Sequence, residues 1–469
     1  MRERPASTLQ GGCRVSSSTD IAAASRKLGT SERRKFVILI SATAAVGGFL
    51  FGYDTAVISG AILFVRSQFQ LTSVQTEIAV SVVLAGALVG AALGGYLGDR
   101  FGRRPTLLAT AIAFGVFGLV TGLANGFALF FLSRLLVGAA VGVSSMLAPL
   151  YIAELAPEKY RGALVTLNQL AISAGVVVAY YVDYVLAGSG NWRWMFMSAV
   201  LPSMLLLVGV IYLPETPRWL AAKNRFAQAE EILRRVEGPY EVERDLAQLR
   251  ELTAQDKLSL KNLFQQRFRR PLVVGVVLAI FQQITGVNTI VYYAPTIFRA
   301  VGFSSNSVAI LATFIIGFVG LCFVVFSMLL LDKVGRRPLL FASLIGMTIT
   351  LLHLSYLLGE PSPVKWQVLL DVIAYLAAFD FGLGPVFWLL ISEIYPTTVR
   401  AQAMSVATFT VWGFDFLVTA TFLTLAEKLG MRGCFLLFAV VCVAALLFAF
   451  AFVPETRRRT LEEIEKSWS

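Results

Sequence analysis

Charge is scarce in this chain of 469 residues: Asp, Glu, Lys and Arg together make up 15%, and the only histidine is His353. A lone histidine in an apolar stretch, with no second ligand type beside it, gives no metal centre and reads as a packed or interhelical side chain. Cysteine is also sparse. Cys13, Cys322, Cys434 and Cys442 lie in a polar tail and in apolar runs without CxxC spacing, so neither a disulfide framework nor a metal site is expected. The chain has no nucleophile–base constellation and no glycine-rich phosphate loop, which argues against an enzyme and against a bound cofactor. Apolar residues, by contrast, are abundant: 57% of the chain is hydrophobic and the mean hydropathy is +0.72. Apolar windows of about 18 residues or more recur throughout, the mark of an all-α polytopic membrane protein. The net charge of +11 sits mostly in every second short loop, so it reports topology and not a nucleic-acid partner.

Residues 1–35 are polar, rich in Ser, Ala, Arg and Gly, and are expected to form a disordered cytoplasmic tail. Six apolar spans follow at 36–62, 78–98, 105–124, 127–152, 162–186 and 194–213, giving a first domain over 36–213. Residues 214–270 turn charged, with amphipathic spacing from Ala227 to Val236, and read as a cytoplasmic helical linker. Six further spans at 271–298, 306–331, 338–358, 367–391, 401–426 and 432–453 form a second domain over 271–453. Residues 454–469 are a charged tail. An even number of spans with basic residues at both ends puts both termini in the cytoplasm.

The two halves repeat. GDRFGRRP (Gly98 to Pro105) follows the second span and LDKVGRRP (Leu331 to Pro338) the eighth; Glu154 precedes Arg161 as Glu393 precedes Arg400; PETPR (Pro214 to Arg218) closes the sixth span and PETRR (Pro454 to Arg458) the twelfth. The copies keep their order and near-constant spacing, which implies two six-helix bundles in the same orientation. Within this frame one acid stands out. Asp54 lies in GGFLFGYDTAVISG, in the middle of the first span, where a carboxylate costs about 2.5–3.5 kcal/mol on insertion scales and therefore faces a partner or a water path. Arg134 on the fourth span is its candidate partner, on a face shared with Gly138 and Gly142 that lets a helix approach closely. A purely structural pairing of Asp54 with an arginine remains an alternative.

FGYDTAVISG, GDRFGRRP, PETPR, FQQITGVNTIVYYAP, GPVFWLLISEIYP and PETRRRTLEEIE resemble the signatures of the major facilitator superfamily and, within it, the sugar porters, over residues 36 to 466. The resemblance implies two six-helix bundles rocking around a central sugar site, with a helical cytoplasmic domain between them. It places sugar contacts at Gln169, Gln282, Gln283, Asn288 and Trp388. Amides that donate and accept together suit vicinal hydroxyls, and an indole covers the apolar face of a pyranose. Tyr292 and Tyr293 accompany them on the seventh span, where Gly286 and Pro295 are expected to interrupt the helix. It also implies a latch between the halves at the cytoplasmic helix ends: Asp99, Arg103, Arg104, Glu154, Arg161 and Glu215 in the first, Asp332, Arg336, Arg337, Glu393, Arg400 and Glu455 in the second. Proton-coupled porters resemble this chain in pairing an Asp at position 54 with an Arg on span four, whereas passive facilitators usually carry an amide.

Some residues depart from the pattern. Val411 and Gly320 stand where relatives carry an amide and an asparagine, while Asp380 and Asp415 are acids in apolar surroundings, taken here as the only others deep within spans. They could touch substrate, bind a proton or join helices. The expected activity is secondary active transport of a monosaccharide or related polyol by alternating access with proton symport. Passive facilitated diffusion is the alternative, and a non-transporting sugar sensor a more remote one. The partners are then the sugar or polyol, the proton and the lipid bilayer, with no nucleic acid, in a monomer of a plasma membrane of prokaryotic inner-membrane type.

Overall fold

The computed structural model describes residues 30–237, 239–254, 263, 265–396 and 399–457. Most of the expected N-terminal tail, part of the linker, the last twelve residues and the side chain of Asp332 lie outside the described residues. Among the described residues eleven helices are long and apolar enough to cross a membrane. The last of these, Arg400–Phe452, holds two spans joined at Gly430, whose φ of 71° and ψ of 162° break the helix. Twelve crossings result.

Three spans are interrupted. The sixth comprises Trp192–Met197 and Val200–Tyr212. The seventh comprises Gln266–Ile284 and Val287–Ala300, divided at Gly286 with φ of 90°, a left-handed value that glycine adopts without a Cβ penalty. The tenth comprises Lys365–Phe381 and Leu383–Ile394, divided at Gly382. The expected interruption at Pro295 does not occur: Pro295 lies inside Val287–Ala300. A proline leaves the carbonyl four residues earlier without its helical donor. That carbonyl, Val291 O, accepts instead from the Tyr180 hydroxyl of the fifth span at 2.8 Å, so the helix continues.

Small residues set the packing inside the first half. A Cβ placed on Gly86 would lie 2.1 Å from Leu135 O, and one on Gly138 2.0 Å from Val83 O, so the second span (Ser73–Phe101) and the fourth (Phe127–Leu155) meet backbone to backbone. The first span (Thr30–Phe69) packs in the same way on the fifth (Glu158–Ala187). The halves meet where the second span contacts Arg400–Phe452, the fifth contacts the eighth (Asn306–Val334), and Val287–Ala300 contacts the first. Between the halves in sequence, the described residues form three linker helices, Pro217–Ala222, Phe226–Val236 and Pro239–Ala254. Leu233, Val242 and Leu246 form a small apolar cluster there.

Candidate functional site

At the end that carries the GRR loops, the sequence repeat is a repeat of contacts. Arg103 donates from Nε and Nη2 to the two oxygens of Glu154 at 3.0 and 3.1 Å. Arg336 does the same to Glu393 at 3.2 and 2.8 Å. Thr216 and Thr456 each donate a hydroxyl to that carboxylate, at 2.7 and 2.6 Å. Glu215 accepts the backbone N–H groups of Arg103 and Arg104, and Glu455 those of Arg336 and Arg337, so each caps the first turn of the helix beginning there. Asp99 pairs with Arg103 at 2.9 Å. Arg104 donates to the carbonyls of Val210 and Ile211, and Arg337 to that of Phe450. Arg161 is exposed, while Arg400 donates to Tyr395 O of its own half at 3.2 Å. These described contacts stay within one half or the other; none of them spans the two.

Midway along the first half, Arg134 Nη1 donates to Asp54 Oδ1 at 2.6 Å and Nη2 to the Asp54 carbonyl at 3.2 Å. Both side chains are buried, and the guanidinium lies 5.1 Å from the centre of the Phe196 ring. Asp54 Oδ2 and Arg134 Nε have no hydrogen-bond partner, so the pair is not saturated.

Among the described residues the second half carries no such pair at its centre but a row of amides. Asn288 Nδ2 donates to Gln283 Oε1 at 2.6 Å, Gln283 Nε2 to Gln282 Oε1 at 3.4 Å, and Gln282 Nε2 to Gly384 O at 3.5 Å. The row crosses the break of the seventh span and ends on the broken tenth. Asp415 continues it, with Asn288 beside it and with Tyr292 Oη and Thr419 Oγ1 each donating to it at 3.2 Å. Trp388 is half-buried and lies edge-on to Phe387 at 5.0 Å between ring centres. Gln169 is half-buried on the fifth span, beside a buried Asn168 whose Oδ1 has no partner. Asp380 lies against Gly320, where an added Cβ would stand 2.6 Å from its Oδ2. The acid thus fills the space that a larger side chain at 320 would need, which gives the two departures from the family pattern one steric origin.

The opposite end is bonded across the halves. Glu77 on the second span, buried, accepts from Thr424 N at 2.6 Å and Thr424 Oγ1 at 2.7 Å, and Ser73 donates to Glu427. Tyr180 to Val291 is a third such link, and the Phe51 and Trp412 rings lie 5.3 Å apart between the first and eleventh spans. The expectation that Asp380 and Asp415 are the only other acids deep within spans fails, because Glu77 and Asp183 are buried in spans as well. Glu77 just precedes the strongest apolar stretch of its span and reads as a loop acid. Asp183 is an acid in an unbroken apolar run, the same signal that singles out Asp54. His353 is joined by an acid, with Asp371 Oδ2 2.8 Å from its Nδ1.

Two six-span halves around a polar centre, closed at one end and framed by repeated ion pairs at the other, define a membrane carrier of the two-bundle type. The chain matches the model of the sugar (and other) transporter family over residues 40–468 and belongs to that family. It is 37% identical over 433 residues to the galactose-proton symporter of Escherichia coli K12, covering 90% of this chain and 92% of that one. It is also 37% identical over 440 residues to the probable metabolite transport protein CsbC of Bacillus subtilis, covering 93% and 95%. The inward-open conformation of the xylose transporter XylE from E. coli superposes with a TM-score of 0.81 at 34% identity, covering 92% of this chain and all of that one. The proton:xylose symporter XylE bound to 6-bromo-6-deoxy-D-glucose gives 0.77 at the same identity, covering 93% and 100%.

Proposed function

We propose that this chain carries a monosaccharide or related polyol across a prokaryotic inner membrane together with a proton, as a monomer with both termini in the cytoplasm. The observation that carries the reading is the buried, incompletely bonded Asp54–Arg134 pair in one half beside the amide row of the other. A carboxylate whose bonding to its arginine or access to water differs between the two open states changes its proton affinity with conformation, which is the requirement for coupling. In this reading Gln282, Gln283, Asn288 and Trp388 form the sugar-facing wall, and Gln169 adds an amide from the fifth span. The names of the relatives support this substrate class, since they include symporters for galactose and xylose.

The GRR end is then cytoplasmic. The bonds across the halves at the other end, with the higher superposition on the inward-open neighbour, support an inward-facing state in which the outer side is shut. Asp99, Arg103, Arg104, Glu154, Arg161 and Glu215, with Asp332, Arg336, Arg337, Glu393, Arg400 and Glu455, gate the cytoplasmic side by re-pairing across the seam when the outside opens. The test is uptake into proteoliposomes of radiolabelled hexoses, pentoses and polyols with and without an imposed pH gradient. Accumulation that collapses with a protonophore is expected. Equilibration without accumulation would make the chain a passive facilitator, and uptake of none of the panel would overturn the sugar reading.

A further inference from the structure

Asp183 lies near the outer end of the fifth span and is fully buried. Its Oδ2 accepts the Gly60 N–H at 3.1 Å, and its Oδ1 has no hydrogen-bond partner. Gly60 is what admits it: a Cβ there would stand 2.6 Å from Oδ2 and 2.8 Å from Cγ. No arginine or lysine pairs with it among the described ion pairs. The first span presents Tyr53 and Asp54, with Tyr53 in electrostatic range of both acids. Arg134 of the fourth span is committed to Asp54. Arg193, next to the fifth span in Trp192–Met197, donates to the Gly122 and Ala124 carbonyls. The eighth span meets the fifth at Gly317, beside Tyr180, and its titratable residues Cys322, Asp332 and Lys333 follow toward the cytoplasmic end. An ionised carboxylate with one hydrogen bond and no counter-charge is strongly disfavoured away from water, so such a group holds a proton until water reaches it.

Its position ties that access to the transport cycle. Tyr180, one turn before Asp183, bonds across the seam to the Val291 carbonyl and closes the halves there. A cavity of about 350 Å³ at the outer end, lined in part by Leu63, Arg66, Thr76 and Arg299, reaches within one helical turn of Gly60. Gly60 is six residues beyond Asp54 on the same helix, about 9 Å along its axis at 1.5 Å per residue. We propose that Asp183 is a second proton-binding carboxylate of the carrier, loaded from the outside when the Tyr180–Val291 seam opens and placed in series with Asp54. The proton leaves external water for Asp183 Oδ1 and later returns to water or passes to Asp54; no other bond forms or breaks.

This inference rests on the proton-coupled reading, and the experiment separates the two. Wild type, Asp54→Asn, Asp183→Asn and Asp183→Glu are compared as full chains in proteoliposomes with radiolabelled D-galactose and D-xylose as probes. Asp183→Asn is expected to keep sugar exchange between equal pools while gradient-driven accumulation falls several-fold and the pH profile of uptake shifts by about one unit or more. Asp183→Glu restores the profile. A profile in Asp183→Asn that matches wild type overturns the proposal and leaves coupling at Asp54 intact. Loss of exchange in both Asp183 variants also overturns it, giving the acid a purely structural role. A wild type that exchanges either sugar without accumulating it, or carries neither, overturns the coupled sugar reading first and this proposal with it.

Discussion

The two halves share a framework and differ at the centre. Each has an arginine forked onto a glutamate, a threonine on the same carboxylate and a second glutamate capping a helix start, in matching positions. Away from that end the likeness stops: the first half buries a charged pair, Asp54 and Arg134, and the second a row of amides ending at Asp415. The repeated frame holds the same helix ends together in both halves, while the interiors differ. The first half is built around a titratable pair, the second around amides that donate and accept together.

The sharpest way to break this division is to neutralise the charged centre. Asp54→Asn keeps the side-chain size and one acceptor but removes the titratable group. Gradient-driven accumulation, which one coupled proton sustains at about tenfold per unit of pH difference, is expected to fall to equilibration, while sugar exchange between equal pools survives. Isotope uptake with and without the gradient reads both quantities. Full accumulation by the variant would move coupling to another acid, and loss of exchange along with accumulation would give Asp54 a structural or substrate-binding role. Removing one partner of a buried pair costs about 3–5 kcal/mol when nothing replaces it, so a lower melting temperature is expected as well, softened by the amide oxygen.

A smaller effect separates the two ends. Glu77→Gln weakens the bond to Thr424 that joins the halves at the end away from the GRR loops, and should shift the resting population toward the state open at that end. Charge reversal at Arg161 or Arg400 weakens the proposed re-pairing at the GRR end and should shift it the other way. Each bond of this kind is worth about 1.5–3 kcal/mol when one partner is charged, enough to change a near-balanced ratio tenfold or more. Labelling rates of single cysteines placed on the two sides measure the shift, and equal rates in both variants would count against the assignment of the ends.

In the second half, Gln282→Ala or Gln283→Ala removes a neutral amide contact worth about 0.5–1.5 kcal/mol. The expected loss of affinity is therefore about three- to tenfold, with coupling unchanged, as read by calorimetry on purified protein once a transported sugar is in hand. Unchanged affinity in both variants would take the sugar site off the seventh span.

Much of this frame is legible in the residues, because apolar length and loop charge are local properties. Twelve spans, two halves and the Asp54–Arg134 partnership follow from hydropathy, repeat spacing and the cost of a charge in lipid. The breaks are harder. Gly286 is readable as an interruption, but Pro295 is not harmless or harmful by itself; Tyr180, over one hundred residues away in sequence, decides it by satisfying Val291 O. The Glu77–Thr424 clamp joins residues from opposite halves and has no local signature at all. Asp183 had the same signal as Asp54, a carboxylate in an apolar run. What the sequence does not display is that no described ion pair gives it a cation.

The smallest expected effect tests the framework where the halves look most alike. Glu215 and Glu455 accept corresponding backbone N–H groups, yet their carboxyls are driven in opposite directions. At Glu215 burial dominates and pushes the carboxyl above the usual range despite the bonds from Thr216, Arg104 and Arg103. At Glu455 burial also pushes upward, but the N–H groups of Arg457, Arg337, Arg336 and Thr456 together outweigh it and hold the carboxyl below that range. The signs follow by linkage. A carboxyl whose folded value lies below its unfolded one contributes stability that is present above the unfolded value, about 4.3, and lost as pH falls through the folded value. One raised on folding contributes stability that is complete below the unfolded value and lost as pH rises through the folded one. Between about pH 3 and 7, then, the cost of Glu455→Gln should fall away as the pH drops below about 4.3, while that of Glu215→Gln shrinks as the pH rises above it. Both effects should stay within about 1 kcal/mol, since both groups are partly open to solvent and screened. Melting temperatures of the two variants in detergent across that range decide it. Parallel slopes would mean that the caps are electrostatically as well as geometrically equivalent, and that the asymmetry of the halves is confined to their centres.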